Sequence, residues 1–198
     1  MSSDSIRSYK KTLRKEVMAV RNSLTVDYVK KRSRRITESV LSSEVYKASD
    51  SVCLYMPINN EVDVSMIIDE VIASGKKVYL PRVVGDEMDF YYYDKSIDLI
   101  CGPFNILEPQ SDEILHPDSS TLIIMPGAVF STECDRIGYG GGYYDRYLDR
   151  YPMVNTVAVA YDFQIKPLFP TEATDIKPDY IIGEENIYAN PDRIRTKV

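Results

Sequence analysis

The sequence predicts an α/β protein, a three-layer α/β/α arrangement around a largely parallel central sheet. Two observations carry this reading. Short apolar runs at 51–56, 77–81, 121–125 and 156–161 have the length and branching of buried strands. Helical patterns stand before and between them, and strands that alternate with helices pair in parallel with helices on both faces. The chain has 198 residues, 44% hydrophobic and 27% charged, enough for one core without cross-links. A single unit over 1–198 is expected, with an N-terminal helical segment, about 4–43, packed on it.

Taken in order, Ile6, Leu13, Val17, Val20 and Leu24 make one apolar stripe of a first helix, with Ser3 or Asp4 as its cap. A second helix follows Thr25 and turns Val29, Ile36 and Val40 inward. The strand at 51–56 stops at Pro57. Asp63 is the expected cap of a helix reaching about Ser74, ended by Gly75. A strand at 77–81 and a more exposed one at 88–93 come next. The stretch 96–118, with Pro103, Pro109 and Pro117, reads as loop. The strand at 121–125 ends at Pro126-Gly127, a helix is expected over 143–150, then a strand at 156–161 and a short final one at 180–182.

A net charge of −6 argues against a non-specific nucleic-acid binder. The basic residues gather in 7–35, where a cationic strip can hold an anion. Cys53, Cys101 and Cys134 are odd in number and form no C-x-x-C pair, which argues against a disulfide framework or zinc site. No apolar run nears the ~20 residues of a membrane span, and the polar N-terminus lacks a signal-peptide core. A cytoplasmic protein is expected.

The strongest chemical signal is 136–146, Arg-Ile-Gly-Tyr-Gly-Gly-Gly-Tyr-Tyr-Asp-Arg. Gly138, Gly140, Gly141 and Gly142 let backbone approach a ligand. The helix behind them offers free N–H groups to an anion. Arg136 can add a charge-assisted fork to phosphate, and Asp145 stands where a carboxylate can face a phosphate-bound metal. The segment is neither a dinucleotide fingerprint nor a Walker A loop; a flexible turn before an ordinary helix is the plain alternative.

Lys10 and Arg14 are neighbours on one helix face, at the edge of the apolar stripe, with Arg21 between them in angle. Taken alone, a solvated charged face is the favoured reading. Glu61 follows a strand, where ligands of α/β sheets collect, and is equally well a surface acid. Core packing is the commoner role for Met56. A turn is favoured over cation binding for Asp175 and Asp179. His116 is the only histidine; with no G-x-S-x-G elbow, a hydrolytic triad is not expected.

The chain resembles the 5-formyltetrahydrofolate cyclo-ligase family. The resemblance rests on Lys10-x-x-Leu-Arg14, Met56-Pro-Ile-Asn-Asn-Glu61-Val-Asp, the Gly-Pro-Phe-Asn-Ile-Leu-Glu-Pro of 102–109, Met125-Pro-Gly127, the 136–146 segment, and Pro170-Thr-Glu-Ala-Thr-Asp175. It implies an α/β/α fold and conversion of 5-formyltetrahydrofolate with ATP to 5,10-methenyltetrahydrofolate, ADP and phosphate, with Mg2+. By position it implies that Lys10, Arg14, Arg136, Ile137, Gly138, Tyr139, Gly140, Gly141, Gly142, Tyr143 and Tyr144 contact ATP. Lys10, Arg14 and Arg136 would be catalytic, Met56, Glu61 and Tyr143 would contact the folate, and Asp145 and Asp175 would attend the metal. Ser131 and Cys134 depart from the family's usual Asp and Gly, which bears on the turn there because cysteine tolerates positive φ poorly. Val64 replaces a usual Thr, Thr174 a frequent His, and Gly141 stands where some members carry Lys.

The reaction that the resemblance implies would require no protein nucleophile: phosphorylation of the formyl oxygen would make a leaving group, and N10 would close the ring. The protein's work is positioning and charge neutralisation. Rival readings are a sugar-phosphate isomerase or CoA-transferase relative and a non-catalytic folate- or nucleotide-binding protein. A monomer or weak homodimer is expected, with no nucleic-acid or membrane partner.

Overall fold

A computed structural model describes residues 2–193. Met1 and residues 194–198 of the unit expected over 1–198 lie outside the described residues.

The chain opens with α1 (Ser3–Asn22) and α2 (Val26–Ser42). Thr25 caps α2 as expected, its side chain accepting from the Tyr28 N–H. The cap of α1 is Ser2 rather than Ser3 or Asp4, because the Ser2 hydroxyl reaches the Ser5 N–H. A short α3 (Glu44–Lys47) leads to β1 (Ser51–Cys53), followed by α4 (Ser65–Ala73), β2 (Lys77–Val84) and β3 (Glu87–Tyr93). Asp63 does not occupy the cap position of α4. It accepts from the Ser65 N–H at 3.0 Å in a turn just before, and Val64 stands at the cap with no side-chain bond.

Beyond β3 come β4 (Leu99–Cys101), a 3-10 turn (Pro103–Asn105), β5 (Leu107–Pro109), β6 (Thr121–Met125), β7 (Val129–Ser131) and β8 (Arg136–Ile137). Then follow α5 (Tyr143–Arg150), β9 (Asn155–Val159), β10 (Ile165–Lys166), β11 (Tyr180–Ile182) and β12 (Ile187–Ala189).

The main sheet has seven strands in the order β12-β11-β9-β6-β1-β2-β3. Its five inner strands pair in parallel, and β3 and β12 close the edges antiparallel. Alternate residues serve opposite faces. Val52, Leu54, Leu122, Ile124, Val157, Val159 and Ile182 pack with Ile36 and Val40 of α2 and Ile67 and Val71 of α4. Cys53, Ile123, Met125, Ala158 and Ile181 pack with Tyr147 and Leu148 of α5. The expected α/β/α layering is therefore present. No described helix is long and apolar enough to cross a membrane.

Four differences from the sequence reading are local. β1 is shorter than 51–56, although the Leu54 N–H still reaches Tyr79 O at 2.9 Å. The 88–93 strand is an edge strand and more exposed than β6, as expected, yet its exposure is partial: α5 covers one face, with Phe90 and Tyr147 rings 5.0 Å apart, and Met88, Phe90 and Tyr91 are buried. The loop-rich 96–118 contains the β4–β5 hairpin. β11 is not the last strand, since β12 returns antiparallel to it.

A second, three-stranded sheet, β10-β7-β8, was not legible in the sequence because its strands are so short. It supports the underside of α1, where Val17 meets Ala128, Val129, Ile137 and Phe169. The inward face of α1 differs from the expected stripe. Its buried residues are Lys10, Val17 and Arg21, while Val20 is about half exposed. Apolar periodicity placed the stripe one row away, because it gives no weight to cations that face inward.

Candidate active site

β8 delivers Arg136 and Ile137 to the glycine loop, and α5 begins at its far end. Gly140 has φ +102° and Gly142, at the cap position of α5, has φ +68°, conformations that favour glycine. At Gly141 a Cβ would come 2.7 Å from the Tyr143 ring, and at Gly138 one would come 2.8 Å from an Arg136 nitrogen. These glycines let the loop curl against its own flanking side chains.

Cations and carboxylates alternate around this loop. The Arg136 guanidinium is buried, and its Nη2 donates to both Asp145 oxygens at 3.0 Å. Its Nε is buried without a partner among the described residues. Arg14 Nε donates to Gly138 O at 2.7 Å. Lys10 Nζ donates to Asp175 and, at 3.3 Å, to Glu172. Asp175 also accepts from the Glu172 N–H, and Asp145 from the Ile176 N–H at 3.2 Å. The 172–176 loop is thus tied to both α1 and α5. The solvated-face reading of Lys10 and Arg21 gives way: both are buried, drawn in by acids and carbonyls from distant parts of the chain.

Below the loop lies a second constellation. Tyr139 sends its hydroxyl inward, where it donates to Glu61 and accepts from Arg21 Nη1 at 2.6 Å. Glu61 is buried, so it is not the surface acid of the plain reading, and its other oxygen accepts from the Ile58 N–H at 2.9 Å. Burial pushes the Glu61 carboxyl above its ordinary range, opposed by the Tyr139 hydroxyl, the Ile58 N–H and the Arg21 charge. Burial and the neighbouring Glu61 push the Tyr139 phenol well up, so it stays a donor. Tyr144 also lies in this layer, its phenol raised by burial and its ring 5.6 Å from the Arg136 guanidinium.

The other expected residues sort themselves around this centre. Tyr143, half-buried, faces outward with the Arg146 guanidinium 5.0 Å from its ring centre. Met56 packs against the core on the α2 and α4 side. Asp179 is a structural acid: it accepts from the Thr156 N–H and hydroxyl and pairs with Arg193 at 2.9 Å. His116 is an exposed loop residue. Sequence reasoning missed Phe104 and Glu172. Phe104 is exposed, adopts φ +62° and stands 6.1 Å from the Tyr143 ring. An aromatic beside Pro103 in a loop was the available signal. Nothing local marked Glu172, whose role depends on contact with α1.

The sequence profile of the 5-formyltetrahydrofolate cyclo-ligase family matches residues 6–184. The chain belongs to that family. A mouse 5-formyltetrahydrofolate cyclo-ligase is 28% identical, with 94% of this chain and 98% of the mouse protein covered. The solution structure of a 5,10-methenyltetrahydrofolate synthetase from Aquifex aeolicus superposes with a TM-score of 0.83 at 34% identity, covering 96% of each chain. A 5,10-methenyltetrahydrofolate synthetase from Mycoplasma pneumoniae, at 24% identity, shares the fold with a TM-score of 0.74 over 89% of this chain and 99% of that one. The activity that goes with membership is conversion of 5-formyltetrahydrofolate to 5,10-methenyltetrahydrofolate.

The departures from the cyclo-ligase pattern at Ser131 and Cys134 are absorbed rather than avoided. Cys134 adopts φ +63° despite its side chain. Its N–H donates to Ser131 O at 3.0 Å. The Ser131 hydroxyl accepts from the N–H groups of Glu133 and Asp135 and donates to the Asp135 carboxylate at 2.7 Å. Burial pushes the Cys134 thiol up to about 12, so it remains neutral and unreactive.

Proposed function

We propose that this cyclo-ligase runs its reaction by holding the ATP triphosphate on the glycine loop, with the folate against Tyr143 and Glu61. The formyl oxygen on N5 attacks the γ-phosphorus and ADP leaves. N10 then attacks the formyl carbon, loses its proton, and phosphate departs with the formyl oxygen as the ring closes. Lys10, Arg14 and Arg136 offset charge on the phosphates. Backbone around Ile137, Gly138, Tyr139, Gly140, Gly141, Gly142 and Tyr144 shapes the cradle. Glu61 orients the polar edge of the folate, and Met56 supports the segment that carries it.

The observation that carries this reading is the pairing of two of the three expected phosphate-binding cations with the expected metal-facing acids, Lys10 with Asp175 and Arg136 with Asp145, while the third, Arg14, bonds the loop backbone at Gly138 O. Such pairs keep the site near neutral, and a magnesium triphosphate brings both signs at once. The donor set suits Mg2+: two carboxylates are hard oxygen ligands, and phosphate oxygens and water complete the shell in such sites. Bound there, Mg2+ would supply charge neutralisation at the phosphates. The free thiols of Cys53, Cys101 and Cys134 fit a reducing compartment such as the cytoplasm.

The test follows methenyl-product absorbance and ADP release together. ADP release stimulated by 5-formyltetrahydrofolate, with product formed only when ATP is present, supports the reading. Equal product without ATP defeats it.

A further inference from the structure

Arg21 is one of the most deeply buried side chains of the protein, at 1% exposure, and its guanidinium joins three segments remote in sequence. Nε donates to Asn59 O at 3.0 Å in the loop that leads to Glu61. Nη1 donates to the Tyr139 hydroxyl at 2.6 Å and lies 3.4 Å from Gly127 O and 3.8 Å from a Glu61 oxygen. The Asn60 side chain donates to Arg21 O and Leu24 O, which pins the same loop to the end of α1. Asn59 and Asn60 adopt φ +49° and +58°, so this loop holds its shape through these contacts.

Tyr139 lies between Gly138 and Gly140 in the glycine loop, and although the residue is 40% exposed its hydroxyl points inward. Its hydroxyl is the inward anchor of that loop, and it has one proton to give. That proton goes to Glu61 while Arg21 supplies the donor on the other side. Whatever fixes the loop therefore also fixes the carboxylate beneath it.

We propose that Tyr139, seated by the positioning residue Arg21, couples the two substrate sites, so that nucleotide on the glycine loop tightens folate binding at Glu61 and folate tightens nucleotide binding. The first ligand orders the Tyr139–Glu61 contact, and the second binds a site already arranged. Linkage requires the two effects to be equal. The inference rests on placing ATP at the glycine loop.

The experiment is calorimetric titration of a non-hydrolysable ATP analogue with Mg2+, and of 5-formyltetrahydrofolate, each alone and each with the other saturating. The readout is the ratio of dissociation constants, which a purely structural loss affecting both states equally leaves unmoved. Wild type is expected to show a ratio of at least about fivefold, and the same ratio in both directions. Tyr139→Phe keeps the ring and removes the hydroxyl, and should bring the ratio below about twofold. Arg21→Lys keeps the charge but cannot serve Asn59 O and Tyr139 together, and should lower it as well. Wild type without coupling, or Tyr139→Phe with full coupling, overturns the inference while both ligands still bind. If Arg136→Ala leaves nucleotide affinity unchanged, the placement of ATP fails, and the inference falls with it.

Discussion

Arg136 and Asp145 stand at the two ends of the glycine loop and are joined through one nitrogen, Nη2, which donates to both carboxylate oxygens at 3.0 Å. The contact closes the loop like a clasp, and it is lopsided. The Arg136 side chain is 4% exposed and that of Asp145 27%.

Removing the acid leaves a buried guanidinium without its counter-charge. Asp145→Ala is expected to cost about 3–5 kcal/mol of stability, the range for breaking a buried pair from one side. Asp145→Asn keeps an acceptor oxygen and should cost less. Urea unfolding of the three proteins checks the order. Arg136→Ala and Asp145→Ala should each lower kcat/KM for ATP by about 100-fold or more, in line with losing a group that stabilises developing charge. A variant with wild-type turnover would remove its residue from the site.

Glu61 makes a pH-dependent case. Its folded pKa lies above the unfolded value of about 4.3. The folded state therefore holds the proton more tightly. The contribution of Glu61 to stability is largest below the ordinary value and falls as pH rises through the window up to the raised one. If ionised Glu61 orients the folate, the acidic limb of kcat/KM for folate lies above the ordinary carboxylate range. Tyr139→Phe removes a bond that favours the ionised form, so the limb should move to higher pH. Glu61→Gln should abolish it and raise the folate KM about tenfold, one hydrogen bond to a charged group. A pH profile of product formation decides, and an unmoved limb in Tyr139→Phe speaks against an ionised Glu61.

The glycines separate two effects. Gly140, at φ +102°, has no Cβ neighbour closer than 3.7 Å, so Gly140→Ala strains backbone alone, by about 1–3 kcal/mol. Gly141 has an ordinary φ, and its added Cβ must push the Tyr143 ring aside. Gly140→Ala is therefore expected to raise chiefly the KM for ATP and Gly141→Ala chiefly that for folate. The two KM values measured for each variant show whether the effects divide this way.

Phe104 and Tyr143 meet edge to face at 6.1 Å on the outer side of the loop. Two aromatics in that relation, one of them exposed, offer a joint apolar surface on which a flat heterocycle can pack. Phe104→Ala should leave stability within about 0.5 kcal/mol, as at other exposed positions, while raising the folate KM by about tenfold, the scale of one aromatic contact. Thermal melts and steady-state kinetics test the two halves separately.

Much of the fold was legible because it depends on local pattern. The runs at 121–125 and 156–161 are apolar on both faces, as strands covered on both sides must be, and Thr25 announces its helix by a hydroxyl three residues from the N–H it caps. The glycine loop was legible for the same reason: four glycines, three tyrosines and three charges in one stretch have few other uses.

What tertiary structure decided is the identity of partners. Periodicity assigned Lys10 and Arg21 to a wet face of α1, yet both are buried, because Asp175, Glu172, Asn59 O and Tyr139 come to meet them from far along the chain. Glu61 reads equally as a surface acid until Tyr139 is seen above it. The sequence by itself determined the α/β layering, the glycine loop and the family, since these follow from spacing along the chain. Which cation faces which carboxylate was left to folding, because an ion pair depends on distance through space, and a sequence records only order.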